Sequence, residues 1–266
     1  MSGRNRGIAL WGALLTLGVA FALLTGIIRF LAGNAAVLEA EMRRFAPPER
    51  TGLPEAEYPE MAAHIAEYLA GRKESFQFFR TVSGSDRVPC FHDYEIAHMA
   101  DCRALIRLDG IVCVVSLSLA VLSAGMILCR GRPGKRGREI PEEGPAEIRD
   151  SGFAPGDSAR RGEPGKPGQR PESESLRGAK RALGVLSLIA AGLALWAAVN
   201  FDGLFVTFHR AAFRNELWLL NPRTDLLIRL MPQEMFVDLG LKGLAAFTAG
   251  MGLYGAILWK AGRVQD

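Results

Sequence analysis

Hydrophobic and polar positions are not mixed along this chain; they separate into four stretches almost free of charge and the charged segments between them. Residues 7–28 carry no charged side chain. A helix of that length spans about 33 Å, which matches a bilayer hydrocarbon core of about 30 Å. The run is longer than the apolar part of a signal peptide, and no small-x-small cleavage site closes it, so it reads as an anchor. The whole pattern predicts spans at about 8–30, 107–129, 182–200 and 238–259. The expected fold is all-α, a single polytopic membrane domain over 1–266 with four transmembrane helices. Gly184 and Gly192 in the third span, and Gly240, Gly243, Gly250, Gly252 and Gly255 in the fourth, permit close helix approach in lipid.

The segments between the spans differ in kind. Residues 31–104 open with a helical piece from Ala35 to Phe45 and a turn at Pro47-Pro48. Tyr58, Met61, Ile65 and Tyr68-Leu69 then recur at helical spacing up to Gly71, a stop signal. An amphipathic helix of this kind is expected to lie flat on the lipid surface. Ser75 to Val82 alternates weakly, as one arm of a hairpin would, before a turn at Ser83–Asp86. Residues 91–109 return to helical spacing and are expected to continue into the second span. In residues 200–238 an amphipathic piece from Phe201 to Phe208 is followed by two helix starts, at Asn221-Pro222 and at Pro232. Short helices broken by proline suit a re-entrant or interfacial segment. Residues 130–181 are the opposite kind of sequence, with basic clusters, glutamates and repeated Pro-Gly pairs. Such a composition cannot bury a core, and it predicts a disordered linker.

Charge orients the spans. Arg4 and Arg6 precede the first; Arg130, Arg132, Lys135, Arg136 and Arg138 follow the second; Arg177, Lys180 and Arg181 precede the third; Lys260 and Arg263 follow the fourth. Four crossings put all of these on one side, and the positive-inside rule makes that side cytoplasmic. Both termini and 130–181 are then expected in the cytoplasm, with 31–104 and 200–238 outside. Arg29 is the counter-signal. The net charge of +4 and pI near 9.0 are explained by orientation in a bilayer, without a nucleic-acid partner. Four cysteines do not make a disulfide framework. Cys113 and Cys129 read as apolar fillers, while Cys90 and Cys102 sit in a polar stretch where they could pair on an oxidising side.

Each outer segment places one histidine close to a membrane boundary. His98 has Glu95 a turn before it and shares a helical face with Asp101 or Cys102 and with Leu105. A neighbouring carboxylate can fix a histidine tautomer and raise its basicity; the plainer reading is an interfacial histidine bonded to headgroups. His209 lies among Phe205, Phe208 and Phe213. It is either a satisfied bundle histidine or, as an ionisable group at such depth, a functional one. His64, among alanines, and His92, in a Phe-His-Asp turn, read as structural. Asp225 and Arg229 are four apart and are expected to pair. Two histidines can serve as base and acid near neutral pH, or bind a metal with Glu95, Asp101 or Glu216. No HExxH sequence and no close His/Cys set stands behind the metal reading. No GxSxG elbow, Walker sequence or dinucleotide fingerprint occurs in a usable context. A non-catalytic lipid-binding or assembly protein and a metal-dependent membrane hydrolase remain as alternatives.

Two stretches resemble a known family. Phe208-His209 with Phe213, Asn215, Trp218, Leu219, Asn221-Pro222, Thr224-Asp225, Leu227-Ile228, Leu230, Pro232 and Phe236 resembles the hallmark stretch of the bacterial lipoprotein intramolecular transacylases, which are four-span membrane proteins. Glu95, His98 and Asp101, at intervals of three, are similar to that family's other motif. The resemblance covers essentially the whole chain apart from the linker. The chain departs from the pattern at Asn221, where an aspartate is common, at Arg214, which replaces a second aromatic, and in the length of 130–181. The resemblance implies a diacylglyceryl lipoprotein as substrate. The glycerol sn-2 acyl chain moves to the α-amino group of the N-terminal cysteine and leaves the lyso form, N-acyl-S-monoacylglyceryl-cysteine. It also implies a site facing outward from the bacterial cytoplasmic membrane, contact with membrane phospholipids, and neither cofactor nor metal. His98 and His209 match the catalytic histidines, with Glu95, Asp101, Glu216, Asp225 and Arg229 in support. The carboxylates near His98 make it the preferred base.

Overall fold

The computed structural model describes residues 3–81, 87–131 and 171–263. Helix α1 (Gly3–Gly33) carries the first apolar run and ends where Asn34 turns extended. The Asn34 side chain accepts hydrogen bonds from the Ala36 and Val37 N–H groups at 3.0 and 3.3 Å and so caps α2 (Ala35–Phe45). Prolines 47 and 48 prevent α2 from continuing and open a single turn, α3 (Pro48–Thr51), closed by Gly52 in the left-handed region at φ 71°. Helix α4 (Tyr58–Leu69) follows, and Gly71 stops it at φ 79°. Strands β1 (Phe79–Thr81) and β2 (Arg87–Pro89) pair antiparallel, with Phe79 opposite Pro89 and Thr81 opposite Arg87. The hairpin arm expected over Ser75 to Val82 is thus present as the shorter β1 within it; its turn, Ser83–Asp86, falls outside the described residues.

Helix α5 (Asp93–Gly131) runs unbroken from polar Asp93 through the second apolar run. Helix α6 (Pro171–Val199) carries the third. It begins inside the stretch read as linker, because proline suits a first helical turn and the Glu, Leu, Arg, Ala and Lys that follow are good helix formers. Residues 132–170 of that stretch lie outside the description. Asn200 then breaks the helix, and its side chain accepts the Gly203 N–H at 2.8 Å to cap α7 (Phe201–Ala212). The one-turn α8 (Leu226–Leu230) precedes α9 (Gln233–Arg263), which starts directly after Pro232. Helices α1, α5, α6 and α9 are each long and apolar enough to cross a membrane. The protein is therefore a helical, multi-pass membrane protein with one small hairpin.

Helix α1 is central, packing along α5 and α6 with α9 beside it. Gly12 faces Ser175 and Gly178 faces Ala9, both so closely that a Cβ would overlap a backbone carbonyl. Thr16 Oγ1 lies 2.9 Å from the Tyr254 hydroxyl and 3.4 Å from the Ala179 carbonyl, joining α1 to α9 and α6. A second core sits where α1 passes into α2. Leu38, Met42, Tyr58, Met61, Ile65, Phe76, Leu230 and Met235 are each at most 1% exposed there. Each such side chain contributes about 1.5–3 kcal/mol on leaving water. This corrects the expectation that α4 lies on lipid: its apolar face closes a protein core. His64 is buried in that core, one ring nitrogen 2.7 Å from the Phe76 carbonyl and the other 3.3 Å from Lys73 Nζ. The charges at the start of α9 are matched by α2: Arg44 bonds Asp238 at 3.0 Å, and Lys242 pairs with Glu41.

Candidate active site

The cap at Asn200 sets where α7 begins and so where its last turn carries His209. Phe205 is one turn earlier, and the His209 Nδ1–H donates to its carbonyl at 2.8 Å. A carbonyl only accepts, so Nδ1 carries the proton and Nε2 keeps its lone pair. Aromatic rings enclose the imidazole: Phe205 at 3.9 Å between centroids, Trp218 at 5.0 Å, Phe208 edge-on at 5.4 Å and Phe213 at 5.5 Å. Burial among them pushes the His209 pKa below the ordinary histidine value, against the weaker opposing pull of the Phe205 carbonyl.

His98 stands near the start of α5 and is 7% exposed. Its ring meets Phe213 edge-on at 5.1 Å and comes to 6.3 Å from the His209 ring, centroid to centroid, at an interplanar angle of 32°. Its Nε2 is 3.5 Å from Cys102 Sγ, one turn further along α5. Its Nδ1 is buried and has no hydrogen-bond partner among the described residues. The fold thus brings together two histidines that the sequence holds far apart.

The supporting residues act on the backbone more than on the histidines. Glu95 is fully buried, and its two oxygens accept the N–H groups of His92 and Leu227, each at 2.8 Å. It fastens the start of α5 to α8 and does not bond His98, as the spacing had led us to expect. Asp101 accepts from Asn215 Nδ2 at 2.8 Å and so ties α5 to the loop after α7. Asp225 does not pair with Arg229. Its carboxylate accepts from the Tyr94 hydroxyl at 2.6 Å, Thr224 Oγ1 at 2.6 Å and the Asn221 N–H at 2.7 Å. Burial works to raise its pKa, but these three donors outweigh burial and hold the carboxyl below the usual range. Arg229 Nε donates instead to the Asp225 main-chain carbonyl at 3.1 Å. Glu216 is exposed and forms no hydrogen bond or ion pair with either histidine. Cys90 and Cys102 are both free. Cys102 belongs to α5, not to a loop, because the helix starts at Asp93.

Sequence reasoning put Cys102 on the helical face of His98 without giving it a part, and it passed over Tyr94. Cys102 had a signal, its position one turn after His98. Tyr94 had none, because its partner lies on a distant segment. Among the described residues no group of three or more His, Cys, Asp or Glu side chains is gathered as a metal site would need. What the arrangement offers is proton transfer from two sides of one reacting centre. The 6.3 Å between ring centroids is of the order that one substrate atom hydrogen-bonded to both histidines, at about 2.6–3.2 Å from each, would require.

The sequence matches the family described as lipoprotein intramolecular transacylase Lit over residues 13–134 and 170–236, segments that include both histidines. No curated protein sequence matches the chain. The fold is similar to the solved structure of the membrane integral lipoprotein intramolecular transacylase Lit from Bacillus cereus, with a TM-score of 0.65, 16% identity and 98% of each chain covered. Two variants of that protein, with one histidine replaced by arginine or by alanine, match with a TM-score of 0.63 and 14% identity. The match covers 98% of this chain, and 95% and 94% of theirs.

Proposed function

The chain belongs to the lipoprotein intramolecular transacylase family, and we propose that His98 and His209 are the pair that carries its reaction. That reaction moves the sn-2 acyl chain of a diacylglyceryl lipoprotein to the α-amino group of the N-terminal cysteine, giving the lyso form. The amine nitrogen bonds the acyl carbon, the ester C–O bond breaks, and the proton lost by the amine ends on the glycerol oxygen. The balance closes within one substrate. Because nucleophile and ester share a molecule, orientation supplies much of the rate.

The single observation behind this reading is the approach of the two rings to 6.3 Å from separate segments. His209 is the base in this scheme: its Nδ1–H is committed to Phe205, so Nε2 is left to take the amine proton. His98 faces the other side of the reacting carbon. A thiol hydrogen from Cys102 to Nε2 leaves a proton on Nδ1, the nitrogen without a partner, to hydrogen-bond the departing glycerol oxygen, which takes up the amine proton carried by His209. This reverses the roles inferred from sequence, because the carboxylates that favoured His98 as base are engaged elsewhere. Glu95, Asp101 and Asp225 act as positioning residues. The basic clusters next to the spans support a site facing outward with both termini in the cytoplasm.

The test is mass spectrometry of the N-terminal lipopeptide of a co-expressed reporter lipoprotein, in a host lacking other N-acylating enzymes. With the native chain, one acyl chain should lie on the amine and one on glycerol. His98→Ala and His209→Ala should each lower conversion about 10²–10⁴-fold while the protein stays in the membrane. Full conversion by both variants would sink the assignment.

A further inference from the structure

A groove of about 560 Å³ runs between α1, the end of α4 and α5, lined among others by Arg29, Leu69, Ile106, Arg107, Ile111 and Val114. It lies on the far side of α5 from the catalytic pair: Arg107 follows His98 by about two and a half helical turns and projects in the opposite direction. Its height in the membrane can be read from the sequence. Arg29 directly follows the charge-free run 7–28, while Arg107 and Asp109 directly precede the run 110–128. Arg29 Nη1 donates to the Ile106 carbonyl at 3.0 Å, so the two boundaries stand level. That level is the edge of the hydrocarbon core, where lipid phosphates sit.

Two arginines standing at the edge of the hydrocarbon core call for a reason. Apart from its bond to Ile106, the Arg29 guanidinium has no hydrogen-bond or ion-pair partner among the described residues, and that of Arg107 has none. Asp109 is close enough to Arg29 to act on it electrostatically but forms no ion pair with it. By helical spacing it projects away from Arg107. Below the guanidiniums Ile111, Val114 and Val115 are 60–64% exposed, an apolar wall running into the bilayer. Cation above and hydrocarbon below is the complement of an anionic phospholipid. We propose that this groove holds one anionic phospholipid, its phosphate between Arg29 and Arg107 and an acyl chain along Ile111, Val114 and Val115, separate from the substrate on the other side of α5. The proposal depends on the membrane fold and not on the transacylase chemistry, so each can fail without the other.

The test uses the full chain in nanodiscs of phosphatidylcholine with and without phosphatidylglycerol, followed by native mass spectrometry of the released protein. The native chain should keep one phosphatidylglycerol in preference to phosphatidylcholine. The double variant R29Q/R107Q should lose that preference by about tenfold or more. Val114→Trp, which fills the groove and leaves both arginines in place, should lose it too and decides alone if the double variant does not fold. Equal retention of the two lipids by the native chain, or undiminished phosphatidylglycerol retention by a folded variant, overturns the proposal.

Discussion

A buried imidazole and one carbonyl determine how the site titrates. His209 must be neutral to take a proton, and burial favours its neutral form by lowering its pKa. Activity that depends on this base is present above the lowered pKa and disappears as pH falls through it. Once corrected for protonation of the substrate's own α-amino group, which titrates at about 7.7–8.0, the rate of lyso-form production should therefore stay level as pH is lowered to about 6.5, where an ordinary histidine would already be half protonated, and fall only below that. Single-turnover conversion of a synthetic diacyl lipopeptide between about pH 5 and 8 measures this. A midpoint at or above the ordinary value would contradict His209 as the base. The two histidines were singled out in the sequence through the resemblance and through their place at the membrane boundary, and the fold brings their rings to 6.3 Å. Their partners were not legible in the sequence. Helical spacing reports neighbours three or four positions away, whereas Glu95, Asp101 and Asp225 are answered by Leu227, Asn215 and Tyr94, on segments that only the fold brings near. The same limit explains the expected Asp225–Arg229 pair. The spacing was right, but three better-placed donors already occupy the carboxylate.

Among the elements, the apolar runs were legible because a span needs an uninterrupted stretch of sequence. The association of those spans was not, because in lipid it depends on close packing and not on the burial of apolar surface from water. Of the glycines in α6 and α9 read as surfaces of close approach, Gly184, Gly192, Gly240 and Gly252 have open space where a Cβ would stand, whereas Gly243, Gly250 and Gly255 face the side chains of Leu31, Leu23 and Leu183. Backbones come closest where α1 crosses α6, at Gly12 and Gly178, and next where α1 crosses α5, at Gly18. Gly178→Ala should force these helices apart at a cost of about 1–3 kcal/mol, seen as a lower unfolding temperature in detergent. Gly184→Ala, on the same helix with nothing near it, should leave that temperature unchanged or raise it slightly through better helix propensity. Equal effects from the two substitutions would mean that the α1–α6 crossing is not a close one. The prediction extends to the site because α7 hangs from the end of α6: displacing α6 moves His209 relative to His98, so Gly178→Ala should lower transacylation as well as stability.

For the whole molecule the question is which way the bundle faces, and here sequence and structure supply different halves of the argument. The basic clusters say that the termini and the segment between α5 and α6 share the cytoplasmic side. The structure says that α2, α4, the hairpin, α8 and the histidine pair gather at the other end of the bundle. Together they support the proposal that the reaction takes place on the outer side, where a lipoprotein would present its N-terminal cysteine at headgroup height. A cysteine introduced at exposed Glu60, just after the start of α4, should react with a membrane-impermeant thiol reagent in intact cells. A cysteine at Ser2 should react only after lysis, with the native chain giving the background from its own four cysteines. The reverse pattern would place both histidines in the cytoplasm and remove them from the translocated substrate, so the outward-facing site would have to be abandoned even if the two substitutions proved inactive. Labelling at both positions in intact cells would mean an even number of crossings between them. In that case α1, the long helix between the two positions, does not span the membrane, and α6, none of whose most apolar stretch is buried in the bundle, would still have to lie in lipid to cover that surface.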